Sequence, residues 1–371
     1  MASARKGTDG LAEELRRQRE HVAGRSAPYA RALELLPAVL EGAAGRYLAT
    51  AWRHRTFFAW YDRPLLLLAA LRFDAMQEGP THPLHAAFAA DPPRAEAATA
   101  GALAAALDGS RERTLDALAH RSVQTNETSR AVAWLWPAHL AGLSHGARPV
   151  ALADVGASAG LNLTADLLPN IWTDETGAAL EIAHGVAAVA RVGFDPAPLD
   201  ATRDDDADWL RACVWPGERD RLARLEAAIA AFRAARPRPD GPVLTPVAAT
   251  AVPARLDLLS TADRGAVVLA YQTVVRDFLS PGDRAEYEGG MRCCLAAQPH
   301  GQAVWLELEL ADPPASPDAP AELVAHLRGP SGAVEDLVLA RCGVHPRRIL
   351  RDLAAVERLR GELAAAPAAH P

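Results

Sequence analysis

Cysteine is scarce in this chain: four residues in 371, Cys213, Cys293, Cys294 and Cys342. None forms a Cys-x-x-Cys pair, and no histidine stands at zinc-ligand spacing from two of them. No metal site is expected, and buried thiols in a reducing compartment account for the usage. Long apolar runs are also missing. The most apolar early stretch, Leu65 to Leu71, falls far short of the ~20 residues that span a bilayer. The opening Met1-Ala2-Ser3-Ala4-Arg5-Lys6 lacks the apolar core of a signal peptide, so a cytoplasmic protein without a membrane partner is expected. Positive charge is short as well. The formal net charge of −7 provides no general field for nucleic acid. The local cluster Arg347, Arg348 and Arg351 reads as a solvated helix end. Ile, Lys and Ser give way to Ala and Arg, which reflects genome composition. No internal repeat is present.

What remains is ordinary for a globular protein: 50% hydrophobic and 23% charged residues, in a chain long enough for one large core or two modest domains. From Leu11 to Leu143 the apolar spacing is helical. Leu11, Leu15 and Val22, then Tyr29, Leu33, Leu36 and Leu40, recur at three, four and seven. Leu65–Phe73 and Ala97–Leu107 read as further helices, with Pro80, Pro83, Pro92 and Pro93 marking loops. The polar cluster Gln124-Thr125-Asn126-Glu127 precedes a helix with Val132, Leu135, Trp136 and Leu140.

The pattern changes at Arg148. Val150–Val155 is a short apolar run closed by Gly156-Ala157-Ser158-Ala159-Gly160, with a helix expected from Leu161. Short apolar runs then recur at Ala188–Phe194, Pro242–Ala249, Gly265–Tyr271, Ala303–Leu310, Glu322–Leu327 and Asp336–Ala340. Helical stretches lie between most of them. Gly329-Pro330-Ser331-Gly332 marks a final hairpin. Such alternation predicts an α/β fold with a mostly parallel sheet, a C-terminal β-hairpin and a preceding helical region. The expected boundaries are 1–122 for the helical region, 123–363 for the α/β domain and 364–371 for a disordered tail.

An open α/β sheet binds ligands at the carboxyl ends of its strands, where strand order reverses. The first strand ends in the Gly156–Gly160 turn. Gly156 permits the turn, Gly160 permits close packing, and Asp154 can accept hydrogen bonds. The second strand ends at Asp195, 39 residues beyond Gly156, where roughly 20 is usual for a ribose-binding acid. An inserted hairpin over Ile171–Ile182 accounts for the excess. Asp195 can instead cap its own turn before Pro196. The same turn also reads Gly-x-Ser-x-Gly, the nucleophile elbow of a serine hydrolase. Ser158 would then attack, with His300, His326 or His345 as base and Asp312 or Glu335 as acid. Against this, the upstream chain is helical and six candidate strands follow Ser158. A third reading keeps the fold as a non-catalytic ligand-binding or interaction module.

Gln124-Thr125-Asn126-Glu127 with Arg130, Val155–Leu163 including Asn162, Arg191-Val192-Gly193-Phe194-Asp195 with Pro198 and Asp200, and Val214-Trp215-Pro216 together resemble the family of domain of unknown function 2332. The resemblance spans most of the chain. It implies a Rossmann-like fold similar to class I S-adenosylmethionine-dependent methyltransferases, and with it a cofactor, S-adenosylmethionine, and a small-molecule acceptor. On that reading Asp154, Gly156, Ser158, Gly160, Asn162 and Asp195 bind the cofactor. Gln124, Asn126 and Arg130 hold the substrate, and Glu127, Tyr271 and Gln272 serve catalysis. The sequence departs from the common methyltransferase loop at one point, carrying Ser158 in place of its central glycine. Trp209 and Trp215 can wall a pocket or fill a core.

Overall fold

The computed structural model describes residues 5–143, 148–262 and 266–364. It divides into two compact units, Met1–Thr125 with Arg203–Arg224, and Asn126–Thr202 with Leu225–Pro371. The chain thus leaves the second unit between two of its strands and returns to it within one helix. The frayed tail expected after Leu363 lies, from residue 365 on, outside the described residues.

The first unit is helical. It holds α1 (Leu11–Val22), α2 (Ala27–Val39), α3 (Ala43–Ala51), α4 (Asp62–Glu78), α5 (His85–Phe88), α6 (Ala100–Ala106) and α7 (Glu112–His120). Two residues, Arg5–Lys6 (β1), pair antiparallel with Thr56–Phe57 (β2). The stripe Leu11, Leu15, Val22, Tyr29, Leu33 and Leu36 is buried, as the helical spacing requires. Arg63, 1% exposed, is held by the Glu14 carboxylate at 2.8 Å and by two backbone carbonyls, Gly7 and Asp9. Trp209 and Trp215 belong to this unit. Trp209 is buried and donates to Ser122 O at 2.9 Å, and Trp215 stands against Tyr29 under the Arg25 guanidinium. Trp209 fills the core of the helical unit, and Trp215 packs half-buried at its edge.

The second unit is built on a nine-stranded sheet. Its elements in chain order are α8 (Val132–Leu140), β3 (Val150–Val155), β4 (Thr173–Asp174), β5 (Ala188–Asp195), β6 (Val243–Pro246), β7 (Val267–Thr273), β8 (Ala303–Leu310), β9 (Ala321–Arg328), β10 (Val334–Cys342) and β11 (Arg348–Arg351). The helices α9 (Asp204–Ala212) and α10 (Arg219–Ala235) precede β6. The helices α11 (Val252–Ala262), α12 (Pro281–Ala297) and α13 (Leu353–Ala364) precede β7, precede β8 and follow β11. Strand order is β4-β11-β10-β9-β8-β7-β3-β5-β6. The run β6, β5, β3, β7, β8 is wholly parallel. Because β3 lies between β5 and β7, its carboxyl end is the point where strand order reverses.

Three features differ from the sequence expectation. The antiparallel part is a meander β8-β9-β10-β11 with three antiparallel pairings, not one terminal hairpin. Arg348–Arg351 is strand β11, not a helix end. Its charge is met by acids: Arg351 bonds Asp174 and Glu175 at 2.7–3.0 Å. The segment after Gly160 is a 3₁₀ helix, Leu161–Leu167, broken at Thr164 (φ −114°, ψ 16°). From there the chain crosses to the far edge, pairs as β4 with β11, and comes back to β5. A Thr173–Ala179 bridge closes its turn. This excursion explains the long interval before Asp195, and its Trp172, Leu180, Ile182 and Val186 cover one sheet face beside α8 and α13. The other face packs on α11 and α12.

At the root of the excursion Arg191 and Asp166, both nearly inaccessible, bond bidentately at 2.8 Å. Removing one partner strands a buried charge, which costs about 3–5 kcal/mol. Arg191→Met should therefore lower the urea-unfolding free energy by that amount. Arg191→Met with Asp166→Leu should recover most of it, because no lone charge remains.

Candidate functional site

The turn after β3 reverses the chain through left-handed conformations at every second residue: Gly156 at φ 73°, Ser158 at 55° and Gly160 at 68°. For a serine this region is uncommon. Three bonds hold it there. Ser158 N donates to Asp195 Oδ2 at 2.9 Å, Asn126 Nδ2 donates to Ser158 Oγ at 2.5 Å, and Leu199 N donates to Ser158 O at 3.2 Å. The glycines are needed for packing as well as for φ. A Cβ on Gly156 would lie 2.6 Å from Val275 Cγ2, and one on Gly160 would lie 2.6 Å from Leu244 Cδ2.

Asp195, at the end of β5, spends one oxygen on Ser158 N and the other on Ala197 N at 2.9 Å. Burial raises its carboxyl above the usual range, against the lowering by these two donors. Asp154 is 4% exposed. Burial drives its carboxyl from 3.8 up to about 8, with the Asp195 charge adding to the rise. Tyr271, its neighbour across the β3–β7 pairing, lowers it in part. The Tyr271 ring is fully buried and stacks on Trp134, 6.3 Å between centroids. Asn162 follows the turn. Its backbone oxygen accepts from Trp134 Nε1 at 2.9 Å, and its buried Oδ1 meets no hydrogen-bond donor among the described residues.

The segment 126–130 straps this turn to the β10–β11 loop. Asn126 reaches Ser158, as above. Glu127, 2% exposed, accepts from Ser129 N at 3.2 Å, and its Oε2 lies 3.2 Å from His345 Nδ1. Arg130 Nε donates to Val344 O at 3.0 Å. Since β10 runs parallel to β8, that loop sits at the carboxyl end of the sheet, with the Gly156 turn.

Of the residues singled out in sequence, the sheet unit thus gathers Asp154, Gly156, Ser158, Gly160, Asn162, Asp195, Asn126, Glu127, Arg130 and Tyr271 at one end. Two stand apart. Gln124 belongs to the helical unit, where its backbone faces the Cys213 thiol. Gln272 points to the opposite sheet face from Tyr271 and is consumed by a buried network. It donates to Glu309 at 2.8 Å and accepts from Tyr287 Oη at 2.5 Å. It is a core polar group, not an open strand-end side chain. Sequence reasoning missed His345 as the partner of Glu127, and Glu309. A lone loop histidine and a strand glutamate carry no motif.

In the helical unit Asp74, Glu78 and His82 cluster closely enough to hold a cation. Arginines already fill that role: Arg113 reaches Asp74 at 2.7 Å, and Arg111 reaches Glu78. His82 Nδ1 accepts from Leu84 N at 3.0 Å, which leaves the proton on Nε2, 3.3 Å from Asp74. Burial opposes ionisation of Asp74, but the His82, Arg113 and Thr114 hydrogen bonds outweigh it and hold the carboxyl at about 2. The cluster is an ion-pair network.

The unit that carries the turn is a mixed α/β domain with a mostly parallel sheet and antiparallel C-terminal strands. The family model described as "Uncharacterized protein conserved in bacteria (DUF2332)" matches residues 12–351, and the chain belongs to that family. No curated protein and no solved structure matches it. No described helix is long and apolar enough to cross a membrane.

Asp154 makes stability depend on pH in a definite direction. Its folded value, about 8, lies above the ordinary 3.8, so the folded state prefers the neutral carboxyl. Stability from this group is complete below about pH 4 and is lost as pH rises toward 8, at about 1.4 kcal/mol per unit of difference. Asp154→Asn mimics the neutral form. Urea unfolding at pH 5 and pH 8 should show the variant gaining on the wild type by more than about 1 kcal/mol at the higher pH.

Proposed function

We propose that this protein is an S-adenosylmethionine-dependent methyltransferase acting on a small molecule, with the cofactor on the Gly156–Gly160 turn. The observation that carries this reading is the left-handed turn at the point of strand reversal, with Ser158 N tied to the acid that ends the next parallel strand. The residues suit the cofactor in three ways. Asp195 retains lone pairs, beyond its two backbone donors, for the ribose hydroxyls. Asn162 Oδ1 is a buried acceptor in need of a donor, which the cofactor's amino group would supply. Asp154 and Asp195 are two carboxyls raised by burial and short of positive charge, which a sulfonium ligand relieves. Ser158 takes the place of a glycine without blocking this arrangement, because its side chain turns to Asn126. When bound, the cofactor supplies an activated methyl group. The protein's part is to orient the acceptor and exclude water.

Calorimetry on the purified protein tests this. S-adenosylmethionine should bind, and more tightly than its neutral product S-adenosylhomocysteine. Asp195→Ala should weaken binding about tenfold, the loss of two hydrogen bonds of about 0.5–1.5 kcal/mol each. Ser158→Ala should leave it within a few-fold. A folded wild type that binds neither compound at millimolar concentration sinks the reading.

One observation favours a second reading. The Glu127–His345 pair is a buried acid against a half-buried histidine, next in sequence to the Asn126 that bonds Ser158. A serine hydrolase would use Ser158, His345 and Glu127 in those roles. A fluorophosphonate probe that labels the wild type but not Ser158→Ala would establish it.

A further inference from the structure

The strand β8 carries Trp305-Leu306-Glu307-Leu308-Glu309, and both glutamates are buried, at 1% and 4% exposure. Glu307 is matched by charge. Its Oε2 meets Arg276 Nη2 and His326 Nε2, each at 2.7 Å, and His326 Nδ1 continues to Asp336 at 2.8 Å. Glu309 is not matched in this way. Its three donors are Gln272 Nε2 at 2.8 Å, Val275 N at 2.8 Å and, more loosely, Arg276 N at 3.4 Å. The Gln272 amide cannot turn round, because its own oxygen already accepts from Tyr287 Oη and Trp305 Nε1. The carboxylate therefore faces a fixed set of donors, two of them backbone N–H groups at the end of β7.

Those two N–H groups belong to a strained turn. Val274 sits at φ 55°, a conformation that a β-branched residue adopts only where its surroundings impose it. The consequence is the placement of the next side chain. Val275 Cγ2 occupies the space a Cβ on Gly156 would take, 2.6 Å from that position. A short mechanical path thus runs from Glu309, through the Val275 and Arg276 backbone, to the first glycine of the turn after β3.

We infer that Glu309 is a positioning residue for the Gly156 turn and so, on the reading of that turn as the cofactor loop, for cofactor binding. Gln272 Nε2 and Val275 N both bond Oε1 and Arg276 N bonds Oε2, so a proton on the carboxyl falls on Oε2, turns that oxygen into a donor and weakens its hold on the Arg276 N–H. Burial brings the Glu309 carboxyl up from 4.5 to about 7, so this change falls near neutrality. The groups around it are Gln272 on β7, Tyr287 on α12, Glu307 beside it on β8, Glu322 opposite on β9, and Arg276 in the turn. Glu322 is occupied by Arg341, and Arg276 by Glu288 and Glu307. The turn is held above the Glu309 midpoint and loosened below it.

The test is an amide NMR titration of the free protein from pH 5.5 to 8.5, with S-adenosylhomocysteine binding measured alongside. In the wild type the Val275, Arg276 and Gly156 amides should titrate together with a midpoint near 7. The shared transition should vanish in Glu309→Gln and persist in Asp154→Asn, which separates it from the carboxyl at the end of β3. Glu309→Gln should also bind S-adenosylhomocysteine about tenfold more weakly. If that variant does not fold, Glu309→Asp, which keeps the charge but shortens the reach, should uncouple Gly156 from Val275 in the same titration. A Gly156 amide that stays still while Val275 titrates, or a transition that survives Glu309→Gln, overturns the assignment. A shared transition in a wild type that binds no cofactor would leave Glu309 as the positioner of the turn and remove the cofactor reading alone.

Discussion

The geometry of the sheet's carboxyl end depends on one hydrogen bond, from Ser158 N to the Asp195 carboxylate at 2.9 Å. The chain must leave β3, turn within five residues and enter the 3₁₀ helix at Leu161. It does so by left-handed conformations at Gly156, Ser158 and Gly160. Two of these are glycines, for which that region carries no Cβ penalty. Ser158 is not, and its backbone stays left-handed because the neighbouring strand holds its N–H and Asn126 holds its hydroxyl. The bond also fixes where β5 must end, since the acceptor has to stand beside the turn. Strand order, turn conformation and acid placement are therefore one constraint.

That constraint explains why this part of the molecule could be read from sequence. The central strands β3 and β7 are continuous apolar runs because the middle of the sheet is covered on both faces, so their positions show in composition. The Gly156–Gly160 turn announces itself through small residues at the end of such a run. Elements that depend on distant partners are silent. The strand β11 is Arg348-Ile349-Leu350-Arg351, with a charged residue at each end. It is a strand because β10 pairs with it and because Asp174 and Glu175 lie opposite Arg351. The two-residue β4 exists only against β11. Residues Arg203–Arg224, which hold α9 and the start of α10, look like any crossover segment, and nothing local marks them as part of the helical unit.

The candidate site divides in the same manner. Asn126, Ser158 and Asp195 lie on segments whose composition is unusual, and the bonds among them are made at the turn itself. His345 and Glu309 come from segments with no such mark. In β8, glutamates alternate with leucines, and that alternation is the signature of a strand with one wet face. Here the expected wet face is dry, because α12 lies on it with Tyr287, Met291 and Leu295. Periodicity reports which side chains share a face. It does not report whether a later helix will cover that face.

A covered polar face has a chemical consequence. Taking carboxyls out of water favours their neutral forms unless a cation accompanies them. Glu307 has Arg276 and His326, and Asp166 has Arg191, and these acids sit in closed ion-pair arrangements. Asp154 and Glu309 have amides, hydroxyls and backbone N–H groups instead, and burial raises both. The division follows position in the sheet. The compensated acids hold strands and the excursion in place, whereas the uncompensated ones flank the Gly156 turn, Asp154 from within β3 and Glu309 through Val275. Carboxyls without a cation are thus placed at the point where strand order reverses, which is where an open sheet of this kind receives a ligand.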